Sequence, residues 1–143
     1  MKIRERVLII GYGSIGKRYH EILKKKYDIY FFDKKIKFIK PSNQTNLKKF
    51  LSLNIIKFCI ICSPPETHIY YLNFFKKYKI PLLIEKPLIL TKHVPKLEEI
   101  IKNYKNKTVA VSSNIFFDQN FNKIYKVVLK NIKNLQNIKL EFK

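Results

Sequence analysis

The stretch VLIIGYGSIGKRYHE, from Val7 to Glu21, contains every glycine of the 143-residue chain. The three glycines, Gly11, Gly13 and Gly16, are spaced G-x-G-x-x-G. A continuous apolar run, typical of a strand buried on both faces, precedes them, and a segment with helical periodicity follows. Other turns of the chain use Asn, Ser, Lys or Pro, so the clustering of the glycines indicates a specific backbone requirement at this turn.

Short apolar runs alternate with helical patterns along the rest of the chain. Five runs predict strands: RVLII (6–10), IYFF (29–32), KFCIIC (57–62), PLLI (81–84) and TVAVS (108–112). The segments between and after them predict helices with apolar faces at Ile15, Tyr19, Ile22 and Leu23; at Ile69, Leu72 and Phe75; at Val94, Leu97, Ile100, Ile101 and Tyr104; and at Phe117, Phe121, Ile124 and Val128, with a weaker helix over 45–53. This order predicts an α/β fold of the Rossmann type, with a doubly wound, mainly parallel sheet.

The length predicts a single domain, which we place at residues 1–135. Residues 136–143 form a strand-like piece that is either the last strand of this sheet or the opening strand of a missing second domain. Hydrophobic residues make up 46% of the chain, which is typical of a globular protein. No apolar run is long enough for a signal-peptide core or a membrane span, so we expect a cytoplasmic protein without a membrane partner.

The formal net charge of +20 requires nucleic-acid binding to be considered. Among 30 basic residues, however, only Arg4, Arg6 and Arg18 are arginines. The lysines pair along the whole chain rather than forming one stripe. Because arginine is the usual bidentate reader of guanine, this pattern favours a solvated lysine coat and disfavours nucleic acid as a partner.

The two cysteines, Cys59 and Cys62, have the C-x-x-C spacing of metal and redox sites. They lie in an apolar strand-like run, where residues three apart point to opposite faces. No second pair is present to complete a zinc site. We therefore expect two buried thiols and no metal.

The glycine turn has the context of a dinucleotide-binding fingerprint, between the first strand and the first helix. In this interpretation Gly11 permits the tight turn, Gly13 lets the backbone approach a pyrophosphate, and Gly16 lets the helix pack closely on the strand. The N–H groups at the start of the helix then face the phosphates.

An acidic residue occupies the place where such a site contacts the adenosine ribose. Asp33 ends the second strand, 22 positions after Gly11, where its carboxylate can accept hydrogen bonds from the ribose hydroxyls. This favours NAD over NADP. Lys34 and Lys35 follow at once and offer cations to a 2′-phosphate, so NADP remains the alternative.

Polar residues also follow the third and fourth strands, in CSPPETH (62–68) and IEKPL (84–88). Ligands of open α/β sheets bind outside the carboxyl ends of the strands. Glu85 and Lys86 end the fourth strand, near the nicotinamide end of the expected crevice. Lys86 is the candidate catalytic residue, because its side chain could bind a substrate hydroxyl or carbonyl oxygen and share in proton transfer.

Together GYGSIGKRYHE, Asp33, CSPPETH and EKPL resemble, in order and spacing, the nucleotide-binding domain of the Gfo/Idh/MocA family of NAD(P)-dependent sugar and inositol oxidoreductases. The resemblance covers nearly the whole chain. It implies that Lys86 lies near the nicotinamide, that the Lys86–Pro87 bond is cis, and that Ser63, Pro64 and His68 lie along the cofactor. With the turn and strand ends above, the predicted cofactor-binding residues are Gly11, Tyr12, Gly13, Ser14, Ile15, Gly16, Asp33, Lys34, Ser63, Pro64, His68, Glu85 and Lys86.

The sequence departs from the family in SSNIFFDQNF (112–121), where many members read like G-Y-N-x-R-F-H-P. Asn114 and Phe117 remain, whereas Ser112, Phe116 and Gln119 replace the expected glycine, arginine and proline. The family's second α/β domain, with the histidine and aspartate that assist the lysine, has no counterpart in the sequence.

The resemblance implies the NAD(P)-binding domain of an oxidoreductase that transfers hydride between nicotinamide and a hydroxyl or carbonyl carbon of a sugar or cyclitol. One alternative is a truncated, non-catalytic nucleotide-binding remnant. A basic nucleic-acid-binding protein is the disfavoured alternative. A second copy of the chain, or a separate chain with the second domain, is the expected protein partner.

Overall fold

The computed structural model describes residues 4–33, 47–102 and 108–113, together with Lys123 and Lys126. The elements below lie in the compact unit Met1–Ser112, and a second unit comprises Ser113–Lys143. Of the helix predicted near 117–130, only Lys123 and Lys126 are described, and both are helical. The terminal strand predicted at 136–143 lies outside the described residues, as do Lys34, Lys35 and the family-like positions 114–119.

The described strands form one five-stranded parallel sheet of order β2-β1-β3-β4-β5. Each predicted strand is confirmed, with its ends moved by no more than a residue: β1 (Arg6–Ile10), β2 (Asp28–Phe32), β3 (Phe58–Ile61), β4 (Leu82–Glu85) and β5 (Val109–Ser112). Val7 of β1 is opposite Ile29 of β2 and Phe58 of β3, so β1 is paired on both sides. The chain runs outward from β1 in both directions, which places the topological switch point between β1 and β3.

Helices connect the strands, as a parallel sheet requires. They are α1 (Ser14–Leu23), α2 (Leu47–Leu53), α3 (His68–Phe75) and α4 (Val94–Lys102), with short 3₁₀ turns at Pro65–Thr67 and Thr91–His93. The helix predicted over 45–53 is therefore confirmed from Leu47 onward.

Two apolar clusters lie on opposite faces of the sheet, because successive strand residues point to alternate sides. Leu8 and Ile10 of β1 belong to the larger cluster, which includes the buried faces of α2, α3 and α4. Val7 and Ile9 belong to the smaller cluster, against which α1 packs through Tyr19 and Leu23. Burial of both faces explains the continuous apolar runs and confirms a doubly wound Rossmann-type fold.

Two helices bury a narrower face than their periodicity predicts. In α1 the buried residue is Gly16, whereas Ile22 is 63% exposed. Because Gly16 lets the helix approach the sheet closely, only residues in line with it reach the core, and Ile22 points away. In α4 Ile100 is buried, whereas Ile101 is 53% exposed.

The two thiols belong to opposite clusters, as the strand alternation predicts. Cys59 is buried, and its burial raises the pKa of the thiol well above its ordinary value. The expectation of two buried thiols is wrong for Cys62, which follows the end of β3 and is half-buried at a cavity wall. Burial still raises the pKa of Cys62 to about 12. In the described part of the chain, no helix is long and apolar enough to cross a membrane.

Candidate functional site

The turn after β1 depends on the absence of a side chain at Gly11. Its φ is +88°, in the left-handed region that L residues rarely adopt. A Cβ at this position would lie 2.6 Å from the backbone nitrogen of Ser63. The Gly11 N–H donates to the Phe32 carbonyl oxygen at 2.9 Å, which fixes the turn against the end of β2. The predicted role of Gly11 in a tight turn is confirmed.

The other two glycines face opposite environments. A Cβ on Gly16 would lie 2.1 Å from the Gly11 carbonyl oxygen, so this position requires close packing of α1 on the turn. A Cβ on Gly13 would meet nothing within 4 Å. Gly13 is the N-cap of α1 and lines a cavity, so its bare backbone is open to a ligand.

The start of α1 offers a favourable environment to an anion. The first N–H groups of a helix have no acceptor within the helix, and the helix dipole makes this end positive. The first turn of α1 contains no acidic residue. Ser14 begins the helix, and Ile15 lines the same cavity as Gly13. This arrangement is the one that binds phosphate groups in Rossmann-type sites.

Asp33, at the end of β2, is oriented by the glycine turn itself. The Tyr12 N–H donates to Asp33 Oδ2 at 2.8 Å. The Tyr12 ring stacks on Phe31, with 4.1 Å between ring centroids, and its hydroxyl lies 2.5 Å from His20 Nδ1. Tyr12 therefore supports the Asp33 carboxylate through its backbone N–H, and it is not among the residues that line the cavity described below.

A cavity of about 570 Å³ runs along the carboxyl edge of the sheet, within the size range of small-molecule sites. It extends from Asp33 after β2 to Lys86 after β4. These strands are three positions apart in the sheet, so the ends of the cavity are separated by roughly 14 Å. The cavity is lined by Gly11, Gly13, Ile15, Phe32, Asp33, Cys62, Ser63, Pro64, Pro65, Thr67, Tyr71, Glu85 and Lys86.

His68 does not lie on the cavity wall, which differs from its predicted place along the cofactor. Its side chain is 0% exposed. Its Nε2 lies 2.7 Å from the Ser63 carbonyl oxygen, and its Nδ1 lies 3.0 Å from the Pro87 and 3.1 Å from the Leu88 carbonyl oxygens. His68 thus ties the loop after β3 to the loop after β4, and both loops line the cavity.

Lys86 and Glu85 form the far end of the cavity. Lys86 is exposed to it, whereas Glu85 is half-buried and accepts a hydrogen bond from the Tyr19 hydroxyl at 2.8 Å. The Lys86–Pro87 peptide bond is cis, as the family resemblance implies.

The structure brings eight of the predicted residues to one cavity: Gly11, Gly13, Ile15, Asp33, Ser63, Pro64, Glu85 and Lys86. Tyr12, Ser14, Gly16 and His68 are not among the lining residues, and Lys34 lies outside the described part of the chain. The sequence interpretation missed five wall residues: Phe32, Cys62, Pro65, Thr67 and Tyr71. The first four are each next in sequence to a predicted residue and could have been found on that ground. Tyr71 could not, because it lies one helical turn after Thr67 and reaches the cavity only through the placement of α3.

This fold and this cavity define a nucleotide-binding Rossmann domain. Residues 5–115 match the Gfo/Idh/MocA family, which is described as an oxidoreductase family with an NAD-binding Rossmann fold. The chain belongs to this family, and the region matched is its NAD-binding domain. None of the curated proteins matches the sequence.

Solved structures with the same fold include two named dehydrogenases and a protein in complex with NAD. GenD2 from gentamicin A biosynthesis, in complex with NAD, is 21% identical with a TM-score of 0.66. Myo-inositol 2-dehydrogenase from Lactobacillus plantarum is 20% identical with a TM-score of 0.67. UDP-N-acetylglucosamine 3-dehydrogenase GnnA from Acidithiobacillus ferrooxidans is 16% identical with a TM-score of 0.68. The matches cover 92%, 92% and 88% of this chain, respectively, but only 41%, 42% and 42% of those chains.

Proposed function

We propose that the cavity binds NAD(H) with its adenosine ribose at Asp33, its pyrophosphate at Gly13 and the start of α1, and its nicotinamide toward Lys86. One observation supports this most strongly: the open backbone of Gly13 lines the same cavity as Asp33 and Lys86. A dinucleotide needs a polar contact at each end and an anion site between them, and these residues occupy that order along the sheet. The cavity therefore fits the cofactor of the family.

We further propose that the whole protein oxidises a sugar or cyclitol hydroxyl, or reduces the corresponding carbonyl. A bound nicotinamide would accept or release the hydride. The chain's own contribution would be the Lys86 side chain, which lines the end of the cavity proposed for the nicotinamide, where it could hold the substrate oxygen and share its proton. Two of the similar structures are named for dehydrogenation of an inositol and of a sugar nucleotide, which supports this substrate class.

The chain spans 41% to 42% of the length of these structures, so the proposal separates binding from turnover. Hydride transfer requires a substrate held in register with the nicotinamide. Apart from Lys86, the described wall residues are ones that the proposal assigns to the cofactor and not to the substrate. We therefore expect the 143-residue chain to bind NADH without oxidising sugars or cyclitols.

Calorimetric titration of NADH into the parent chain and into Gly13→Val tests cofactor binding. The valine side chain would enter the space that the pyrophosphate needs, and we expect a loss of affinity of about tenfold or more. Because nothing lies within 4 Å of this position, only the N-cap preference for glycine is lost, and the melting temperature should fall by no more than a few degrees. Equal NADH affinity in the two proteins would reject the proposed site.

A turnover assay over hexoses, uronic acids and inositols tests the second part. No steady NADH production is expected from this chain. Steady production that is lost in Lys86→Ala would support the role of Lys86 and reject the need for further walls. Steady production that persists in Lys86→Ala would reject the role of Lys86.

A further inference from the structure

Three polar side chains from distant parts of the sequence meet beside the lysine end of the cavity. The Tyr19 hydroxyl of α1 donates to Glu85 Oε1 at 2.8 Å and lies 3.0 Å from Ser112 Oγ. Glu85 and Ser112 are opposite each other in the register of β4 and β5. The network therefore connects the helix that begins at the glycine turn with the two strand ends at the far side of the cavity.

The hydrogen bonding specifies one orientation of the Tyr19 hydroxyl. A phenol has a single proton to donate, and an ionised carboxylate only accepts, so the proton of Tyr19 lies toward Glu85. The phenol oxygen can then accept a hydrogen bond from the Ser112 hydroxyl, which is 8% exposed. Burial raises the pKa of Tyr19; Ser112 opposes this effect and Glu85 adds to it. The phenol thus stays protonated at neutral pH, as its donor role requires.

Glu85 immediately precedes Lys86, and both line the cavity. A carboxylate held by Tyr19 fixes the end of β4 relative to α1, and α1 carries the anion site at its N-terminus. The distance between the anion site and Lys86 is thereby set by a contact between residues 66 positions apart.

We propose that Tyr19 is a positioning residue, which acts through Glu85 to hold the nicotinamide end of the site in register with the glycine turn. This rests on the proposed binding of NAD(H). The adenine end has its own support from Tyr12 and Asp33, so Tyr19 should affect the nicotinamide half of the dinucleotide and leave the adenosine and pyrophosphate half unchanged.

The test compares binding of NADH and of ADP to the 143-residue chain and to Tyr19→Phe. The substitution keeps the ring packing and removes only the hydroxyl. We expect NADH affinity to fall by about three- to tenfold, because Glu85 loses a donor, and ADP affinity to change by less than about twofold. The fluorescence of bound NADH should also shift toward that of free NADH in this variant.

Tyr30→Phe is the matched control. Tyr30 is buried in β2, and its hydroxyl interacts with Asp28 and Arg6 at the amino ends of the strands, away from the cavity. Tyr30→Phe should leave the affinities for NADH and for ADP unchanged. If Tyr19→Phe is too unstable to study, Ser112→Ala should produce a smaller loss of NADH affinity, about twofold, again without an effect on ADP.

A double-mutant cycle with Glu85→Ala tests whether Tyr19 acts through Glu85. In the Glu85→Ala background, removing the Tyr19 hydroxyl should no longer change NADH affinity. An undiminished Tyr19→Phe effect in that background would overturn the inference, as would equal losses for NADH and ADP, or no loss for NADH. A parent chain that binds neither ligand would instead overturn the proposed function and, with it, this inference.

Discussion

The two ends of the cavity are built by different means. At the glycine end, the backbone itself forms the wall, and the positions of Gly11 and Gly16 leave no room for a Cβ atom. At the lysine end, side chains hold the wall: His68 ties two loops together, and Tyr19 connects Glu85 to α1. The glycine contact that defines the first end joins residues 11 and 16, whereas the Tyr19 contacts at the second end join residues 66 and 93 positions apart.

The difference predicts two kinds of sensitivity. A side chain added at Gly11 or Gly16 meets backbone atoms, which cannot move without displacing the turn or a strand end. A substitution at the lysine end removes hydrogen bonds instead. Their loss lowers the free energy of unfolding by less, and it changes the geometry of the site while the fold is kept. Substitutions at the two ends of the cavity test this contrast.

Gly16→Ala should have the largest effect. Its Cβ would lie 2.1 Å from the Gly11 carbonyl oxygen, so α1 must move away from the turn. We expect the free energy of unfolding to fall by about 3 kcal/mol, measured by urea denaturation. Gly13→Ala is the matched control. Its free energy of unfolding should fall by no more than about 1 kcal/mol, because the added Cβ meets open space. Equal stability of the two variants would contradict the close packing of α1.

His68→Leu should have a smaller effect on stability. The substitution replaces the imidazole with an apolar side chain at a fully buried position. The carbonyl groups of Ser63, Pro87 and Leu88 then lose the imidazole ring as a partner. We expect a fall of about 2 kcal/mol in the free energy of unfolding. The control is His93→Leu, at a half-buried position in a 3₁₀ turn, which should change it by less than about 0.5 kcal/mol. If the two leucine variants are equally stable, His68 does not tie the loops together.

Asp33→Ser should change cofactor choice rather than stability. Loss of the carboxylate should weaken NADH binding by about tenfold and leave NADPH binding unchanged or improved. Asp33→Asn separates the two roles of this residue, since an amide oxygen can still accept from the Tyr12 N–H while the charge is lost. It should therefore keep the turn intact and still lose preference for NADH. An unchanged NADH:NADPH ratio in both variants would reject the assignment of Asp33.

Sequence alone predicted the glycine end well, because its constraints are local. The requirement for positive φ at Gly11 and for contact at Gly16 appears as glycine in the sequence, and Asp33 follows at a fixed spacing. The strands were predictable for the same reason, since burial on both faces produces continuous apolar runs.

The lysine end was only partly predictable. Lys86 and Glu85 could be placed at a strand end, but no local pattern indicates that Tyr19 reaches Glu85 or that His68 faces three carbonyl oxygens. His68 was expected along the cofactor because of the family resemblance, yet at the start of α3 its side chain is fully buried. Such contacts depend on how α1 and α3 pack on the sheet, which the sequence periodicity does not define.

A crystal structure of the chain with bound NADH would show whether the cofactor lies along the cavity in the proposed direction. We expect the adenosine ribose at Asp33, the pyrophosphate against Gly13 and the first N–H groups of α1, and the nicotinamide beside Lys86 and Glu85. A dinucleotide bound in the reverse direction, or bound away from the carboxyl edge of the sheet, would contradict this expectation.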